Sequence, residues 1–165
     1  MRACLALFSI FLLNVSFANQ AVDEIKEIYK LREKSRAEQS ANGSDLKSLQ
    51  KNFQMIFIFR SNCPHCHSFA PVLKDFSEHF NIKIKAYSAD GGKIASFQSS
   101  PLTPELYKTF FITAGYKPMV PALYLMNKET MQTYPVLFGE ATPYQLASRT
   151  WELMKHIKEQ FNDSF

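Results

Sequence analysis

The chain has 165 residues, 46% hydrophobic and 21% charged, an ordinary globular composition that excludes collagen-like and disordered chains. A formal charge of +4, from 19 basic and 15 acidic residues, is too small to argue for a nucleic-acid surface. The 15 Phe, 7 Tyr and 1 Trp supply bulk for a real core, and 3 Cys are too few for a small stapled secreted fold.

Met1 and Arg2 form a short basic start. The apolar run from Leu5 to Val15, broken only by Ser9 and Asn14, leads to the small-x-small site Ser16-Phe17-Ala18. This is the pattern of a secretory signal peptide over residues 1–18, too short for the roughly 20 residues of a membrane-spanning helix. Cleavage after Ala18 removes Arg2 and Cys4 and leaves Cys63 and Cys66. No later apolar run is long enough to span a bilayer, so the exported chain is expected to be soluble in a compartment that permits disulfides, the periplasm.

From Ala21 to about Gln39 the residues Val22, Ile25, Ile28, Tyr29 and Leu31 recur at helical spacing. The pairs Asp23 and Lys26, Glu27 and Lys30, and Glu33 and Arg36 place acids three residues ahead of bases, as on a solvated helix face. Ser40 to Ser44 is a turn-rich break, so residues 19–45 are expected to form a helical arm and residues 46–165 the main domain. Phe53 to Phe59 is a nearly continuous apolar run rich in aromatic and branched residues, the signature of a strand buried on both faces. Directly after it come Cys63-Pro64-His65-Cys66, then Phe69, Val72, Leu73, Phe76 and Phe80 at helical steps. Pro64 suits the first helical position, whereas Pro71 falls inside the helix and should kink it.

Ile82 to Tyr87 alternates strictly and reads as a strand with one wet face or an exposed edge. Ser88 to Pro118 is looser, an insertion over the sheet with one short helix from Pro104 to Ile112 and Thr103 as its cap. Ala122 to Met126 and Thr133 to Phe138 are two further strands, the second confined by Pro135 to an edge or to a start after the proline. The last helix carries a capping box, Thr142 with Gln145 three residues on and Pro143 at the first position, and a stripe of Leu146, Thr150, Trp151, Met154, Ile157 and Phe161. The segment from Ala41 to Asn52 has no strand pattern, and Lys83 and Lys85 would blunt an edge against unwanted pairing. The expected sheet is therefore a minimal one of four strands, with Ile82 to Tyr87 at one edge and the Pro135-bearing strand at the other. The arm from Ala21 is expected to pack outside it.

A Cys-x-x-Cys at a strand-to-helix junction places the first sulfur where helix N–H groups and the dipole favour an anion, making it a nucleophile. On this reading Cys63 reacts, Cys66 one turn on resolves the mixed disulfide, and Pro64 and His65 between them tune the potential. A purely structural bridge closing so short a loop would be a poor staple. Two rival readings share the residues. Cys63-x-x-Cys66-His67 is also the c-type haem attachment pattern, though here it sits in a strand-helix unit whose core a haem would displace. Zinc would need four ligands, and His79 and His156 are isolated surface residues, so neither a metal nor another cofactor is expected.

The strand, Cys63-x-x-Cys66, Ala70-Pro71 in the following helix, and Val120-Pro121 before the next strand resemble the thioredoxin superfamily. More narrowly, Asn62 to Lys74, Pro101 to Glu105, Phe110-Phe111, Val120 to Asn127 and Leu137 to Gly139 resemble the TrbB-type thiol-disulfide isomerases of F-type conjugative transfer systems, over roughly Phe53 to Trp151. The resemblance implies an α/β thioredoxin-like fold. It also implies a cis-proline at Pro121 lying against the active-site cysteines, with Val120 and Pro121 presenting substrate backbone. The implied partners are exported cysteine-containing proteins, such as conjugative pilus or type IV secretion components, and a membrane or periplasmic redox partner, with no nucleic acid. One departure stands out. Many such enzymes carry a buried acid six residues before the first cysteine, and here that position is Phe57. Proton transfer to and from Cys66 must then use water, His65 or His67, and both oxidase and isomerase chemistry remain open. A different class of function also fits: a non-catalytic thioredoxin-like component that docks partners in a secretion apparatus.

Overall fold

The computed structural model describes residues 51–162 without interruption, together with Ile25, Lys26, Lys30, Leu46 and Leu49, all five of them helical. The chain divides into two compact units, Met1–Asn42 and Gly43–Phe165. In the first, Ile25, Lys26 and Lys30 are exposed; the signal sequence over 1–18 and the rest of the expected arm lie outside the described residues. Where that arm packs lies outside them as well.

In the second unit the first strand, β1 (Phe53–Phe59), is buried nearly throughout. It feeds helix α1 (Pro64–Phe80), which runs through Pro71 and ends where Asn81 turns left-handed at φ 54°. Asn tolerates that conformation better than most residues. The amides of Asn81 and Ile82 both donate to the Ser77 carbonyl. Ile82 thus belongs to the end of the helix, and strand β2 (Ile84–Ser88) begins two residues later than the alternation predicts.

The sheet has five strands, not four. Strand β3 (Ser99–Pro101) pairs parallel with Ala86, Tyr87 and Ser88 of β2. Three residues, two serines and a proline, carry no hydrophobic alternation, which is why the pattern along the chain does not reveal this strand. The edge on this side is therefore β3 and not the lysine-bearing β2; β3 covers the C-terminal half of β2 and leaves Lys85 beyond its reach. Among the described residues of the segment before β1, Leu46, Leu49, Lys51 and Asn52 are helical, and none forms a strand beside Ile84.

After a one-turn helix α2 (Pro104–Tyr107), capped by Thr103 Oγ1, the chain widens into a π-helical turn over Lys108–Ile112. The wider turn brings the adjacent Phe110 and Phe111 inward together. Strands β4 (Ala122–Asn127) and β5 (Thr133–Phe138) complete the order β3-β2-β1-β4-β5, with β4 antiparallel to both neighbours. Pro135 lies on the edge strand, as its missing N–H requires, beside a register shift that skips Val136. Helix α3 (Pro143–Asn162) closes the domain.

Alternation along the central strands sorts two cores. Met55, Phe57 and Phe59 of β1 and Leu123 and Leu125 of β4 face α1 and α3. Ile56 and Ile58, with Ala122, Tyr124 and Met126, face Phe110 and Phe111. Leu46 and Leu49, three residues apart and both buried, join the first core. Their i, i+3 spacing is the helical signal in a segment otherwise dominated by polar residues.

Candidate active site

Because β1 is central and ends at Phe59, the turn Arg60-Ser61-Asn62 emerges at the middle of the sheet's end and delivers Cys63 to the start of α1. Cys63 is the helix N-cap, with extended backbone at φ −94° and ψ 112°. Its sulfur accepts from the amide of Cys66 at 3.3 Å, while Pro64 at the first turn has no amide to satisfy. The two sulfurs are free thiols of unequal environment: Cys63 is half-buried, and Cys66 is fully enclosed among core residues. Burial, followed by the hydrogen bond with Cys63, pushes the Cys66 thiol up to about 12. A reaction beginning at Cys63 is thus favoured by access and by position at the helix start.

The position six residues before Cys63 carries a ring and no acid. Phe57 is completely buried, its ring 5.4 Å from that of Phe59, 6.1 Å from Phe69 and 5.6 Å from Phe97. Both motif histidines are engaged elsewhere. His67 Nε2 donates to the Ser61 carbonyl at 2.7 Å, so that nitrogen must carry the proton. His65 Nδ1 lies 3.1 Å from Glu140 Oε1, an exposed pair. Glu140 reaches that place because Gly139 adopts φ +92° and donates its amide to the Pro121 carbonyl at 2.7 Å. Only glycine takes that backbone readily.

Opposite the dithiol, the Val120–Pro121 peptide is cis, and the Cys63 thiol points at the Val120 carbonyl, 4.0 Å away. Pro121 is buried and Val120 half-buried. All six expected site residues are thus brought together: Cys63, Pro64, His65 and Cys66 on the first turn of α1, Val120 and Pro121 at the head of β4. His79 and His156 stay apart on the surface. The haem attachment pattern has its second sulfur enclosed in the core and its histidine Nε2 committed to a carbonyl, an arrangement unsuited to gripping a haem. Among the described residues no group of three or more His, Cys, Asp or Glu side chains could hold a metal ion.

Sequence reading missed Glu140 and Asp90. Asp90, just beyond β2, accepts from the Ser61 amide at 2.9 and 3.1 Å, the Ser61 hydroxyl at 2.9 Å, the Ser88 hydroxyl at 2.9 Å and the Gly92 amide at 3.2 Å. Glu140 meets His65 across 75 residues and Asp90 meets Ser61 across 29, and the local bonds of Asp90 to Ser88 and Gly92 do not announce that contact.

Residues 25–151 match the family described as TraF, F plasmid transfer operon protein. Over 89 residues the chain is 29% identical to Protein TrbB of Escherichia coli (strain K12), an alignment spanning 53% of this chain and 48% of that protein. The chain thus matches about half the length of that curated relative. Among solved structures, the thiol:disulfide interchange protein of the thioredoxin family from Chlorobium tepidum TLS is similar at a TM-score of 0.50, with 14% identity, covering 65% of this chain and 83% of that one. That likeness concerns the fold. With the family matched over most of its length and the thioredoxin-like sheet, helix and cis-proline in place, this chain belongs to the TraF family of F plasmid transfer operon proteins.

Proposed function

We propose that the chain is a periplasmic thiol-disulfide oxidoreductase, an isomerase or oxidase, acting on exported cysteine-containing proteins of a conjugative transfer apparatus. The observation that carries this reading is the pairing of an accessible Cys63 at a helix N-cap with an enclosed Cys66, facing a cis-proline carbonyl loop. Cys63 is the nucleophile and Cys66 the resolving thiol. Pro64 and His65 tune the potential, and Val120 and Pro121 present the substrate backbone. Residues 1–18 act as the export signal. Among the described residues no helix is long and apolar enough to cross a membrane.

In the oxidising direction a substrate thiolate attacks Cys63 Sγ of the disulfide, the Cys63–Cys66 bond breaks, and Cys66 leaves and takes a proton. A second substrate thiolate then attacks the substrate sulfur of the mixed disulfide, so a substrate disulfide forms and two electrons remain on the Cys63–Cys66 dithiol. In isomerisation the Cys63 thiolate attacks a substrate disulfide and frees a substrate thiolate, which attacks a second substrate disulfide. The thiolate released there attacks the substrate sulfur of the mixed disulfide and expels Cys63 with no net electron transfer. Where none does, the Cys66 thiolate attacks Cys63 Sγ, re-forming the Cys63–Cys66 disulfide and releasing the substrate reduced by two electrons. Because Cys66 resolves, Cys66→Ser should accumulate mixed disulfides through Cys63 in cells, visible as adducts on non-reducing gels and lost on reduction. Cys63→Ser should form none. A Cys66→Ser protein free of adducts, in a chain that also shows no dithiol turnover, would instead identify a docking component.

A further inference from the structure

The turn that delivers Cys63 is held from both sides at Ser61. Its carbonyl accepts from His67 Nε2 of α1, and its amide and hydroxyl both donate to the Asp90 carboxylate at the end of β2. Ser88 and Gly92 fill the remaining positions on that carboxylate. Next to it the Ala89 amide donates to the Phe59 carbonyl at 2.8 Å, prolonging the β1–β2 ladder up to the turn. Gly92 is needed for closeness, since a Cβ there would collide with Cβ and Oγ of Ser61. His67 and Asp90 thus clamp Ser61 of the reactive loop from two sides, Asp90 from 29 residues away.

Among the described residues every partner of Asp90 is a neutral donor, so hydrogen bonds stabilise its negative charge and no cation cancels it. These donors, the Ser61 amide foremost, hold its carboxyl well below the usual carboxylate range, and its charge adds to the forces raising the Cys66 thiol. Cys66 keeps its proton to about 12, so at neutral pH the redox effect of this anion falls on Cys63: bonded to Ser61, two residues before it, the carboxylate opposes a negative charge on the Cys63 sulfur, the reverse of the effect of the α1 dipole. Opposing the thiolate favours the disulfide and makes it a weaker oxidant.

We propose that Asp90 is a positioning residue that ties the Arg60-Ser61-Asn62 turn to the end of β2 and, by keeping an uncompensated negative charge beside it, restrains the oxidising strength of the Cys63–Cys66 disulfide. This rests on the oxidoreductase reading. It concerns how strongly the site oxidises and leaves the identity of the two cysteines untouched.

The test is equilibration of the full chain with defined ratios of reduced and oxidised glutathione, the dithiol fraction being read by alkylation and mass spectrometry. Asp90→Asn should move the equilibrium toward the dithiol by about threefold to tenfold at low ionic strength, the scale of one charge acting through a partly aqueous path. At about 1 M salt, where the screening length is near 3 Å, the difference should fall below about twofold. Ser61→Ala, which removes one hydrogen bond and keeps the charge, should shift the equilibrium by less than about twofold. In the unmodified protein, raising salt should itself move the equilibrium toward the dithiol, a result that needs no variant to fold. A shift toward the disulfide in Asp90→Asn, no shift at low salt, or an equal shift in Ser61→Ala would overturn the proposal. If the unmodified chain never cycles between dithiol and disulfide, the oxidoreductase reading itself has failed, and the two failures are told apart.

Discussion

Cys66 shows how burial writes itself into a measurable pH dependence. In the unfolded chain its thiol ionises near the ordinary value of about 8.5, whereas in the fold it holds its proton up to about 12. Between these values the folded state binds more protons than the unfolded one, so stability falls as pH rises; below about 8.5 both states are protonated and the group contributes nothing. The reduced protein should therefore lose urea resistance from pH 8.5 to 10, by at most about 1.4 kcal/mol per pH unit. Reduced Cys66→Ala should be flatter over that range, and so should the disulfide form. Equal slopes in all three would show that the Cys66 thiol ionises freely in the fold. Phe57 belongs to the same account: it puts an aromatic ring where relatives of this fold often carry an acid, while His65 and His67 each commit one ring nitrogen, to Glu140 and to the Ser61 carbonyl. Cys63, Pro64, His65 and Cys66 were legible as one candidate site because they are adjacent in the chain. Asp90 and Glu140 were not, because each acid matters only through a contact that the fold creates.

Among the elements, α3 illustrates local sequence that is carried directly into geometry. The Thr142 amide donates to Gln145 Oε1 at 3.0 Å and the Gln145 amide donates to Thr142 Oγ1 at 3.3 Å, the reciprocal pair the sequence predicts. Thr142→Ala should cost about 1 kcal/mol, read as a shift of the urea midpoint with unchanged slope. Serine at this position should restore most of it. β1, β4, β5 and α1 were legible for related reasons: each carries its period in its own apolar residues. β3 and the π-helical turn were not. β3 is held by backbone pairing to β2, continued by the Leu102 amide donating to the Ser88 carbonyl at 2.8 Å, and such bonding is indifferent to side chains. The π-helical turn places the Phe110 carbonyl where the buried Tyr124 hydroxyl donates to it at 2.9 Å, a partner 14 residues away.

In the Gly43–Phe165 unit as a whole, the sheet separates two cores that share strands and few side chains. Ile56 faces the Phe110 side and Ile157 of α3 faces the other. Ile56→Val and Ile157→Val should each cost about 0.5–1.5 kcal/mol, and the double variant should equal their sum within about 0.5 kcal/mol. A larger departure, measured by urea unfolding of all four proteins, would mean that packing strain crosses the sheet. By itself the sequence determined the elements that declare their own period and caps, the Cys-x-x-Cys at a strand-to-helix junction, and through its resemblance the fold on which the Val120–Pro121 peptide faces Cys63. Those features depend on residues a few positions apart, where the geometry of helix and strand is fixed by elementary sterics. Only the tertiary structure decided that β3 covers half of β2, that Leu46 and Leu49 enter the core, and that Asp90 grips the reactive turn. In each case the stabilising contact lies between residues distant in the chain, and neither member carries a local preference that announces the other.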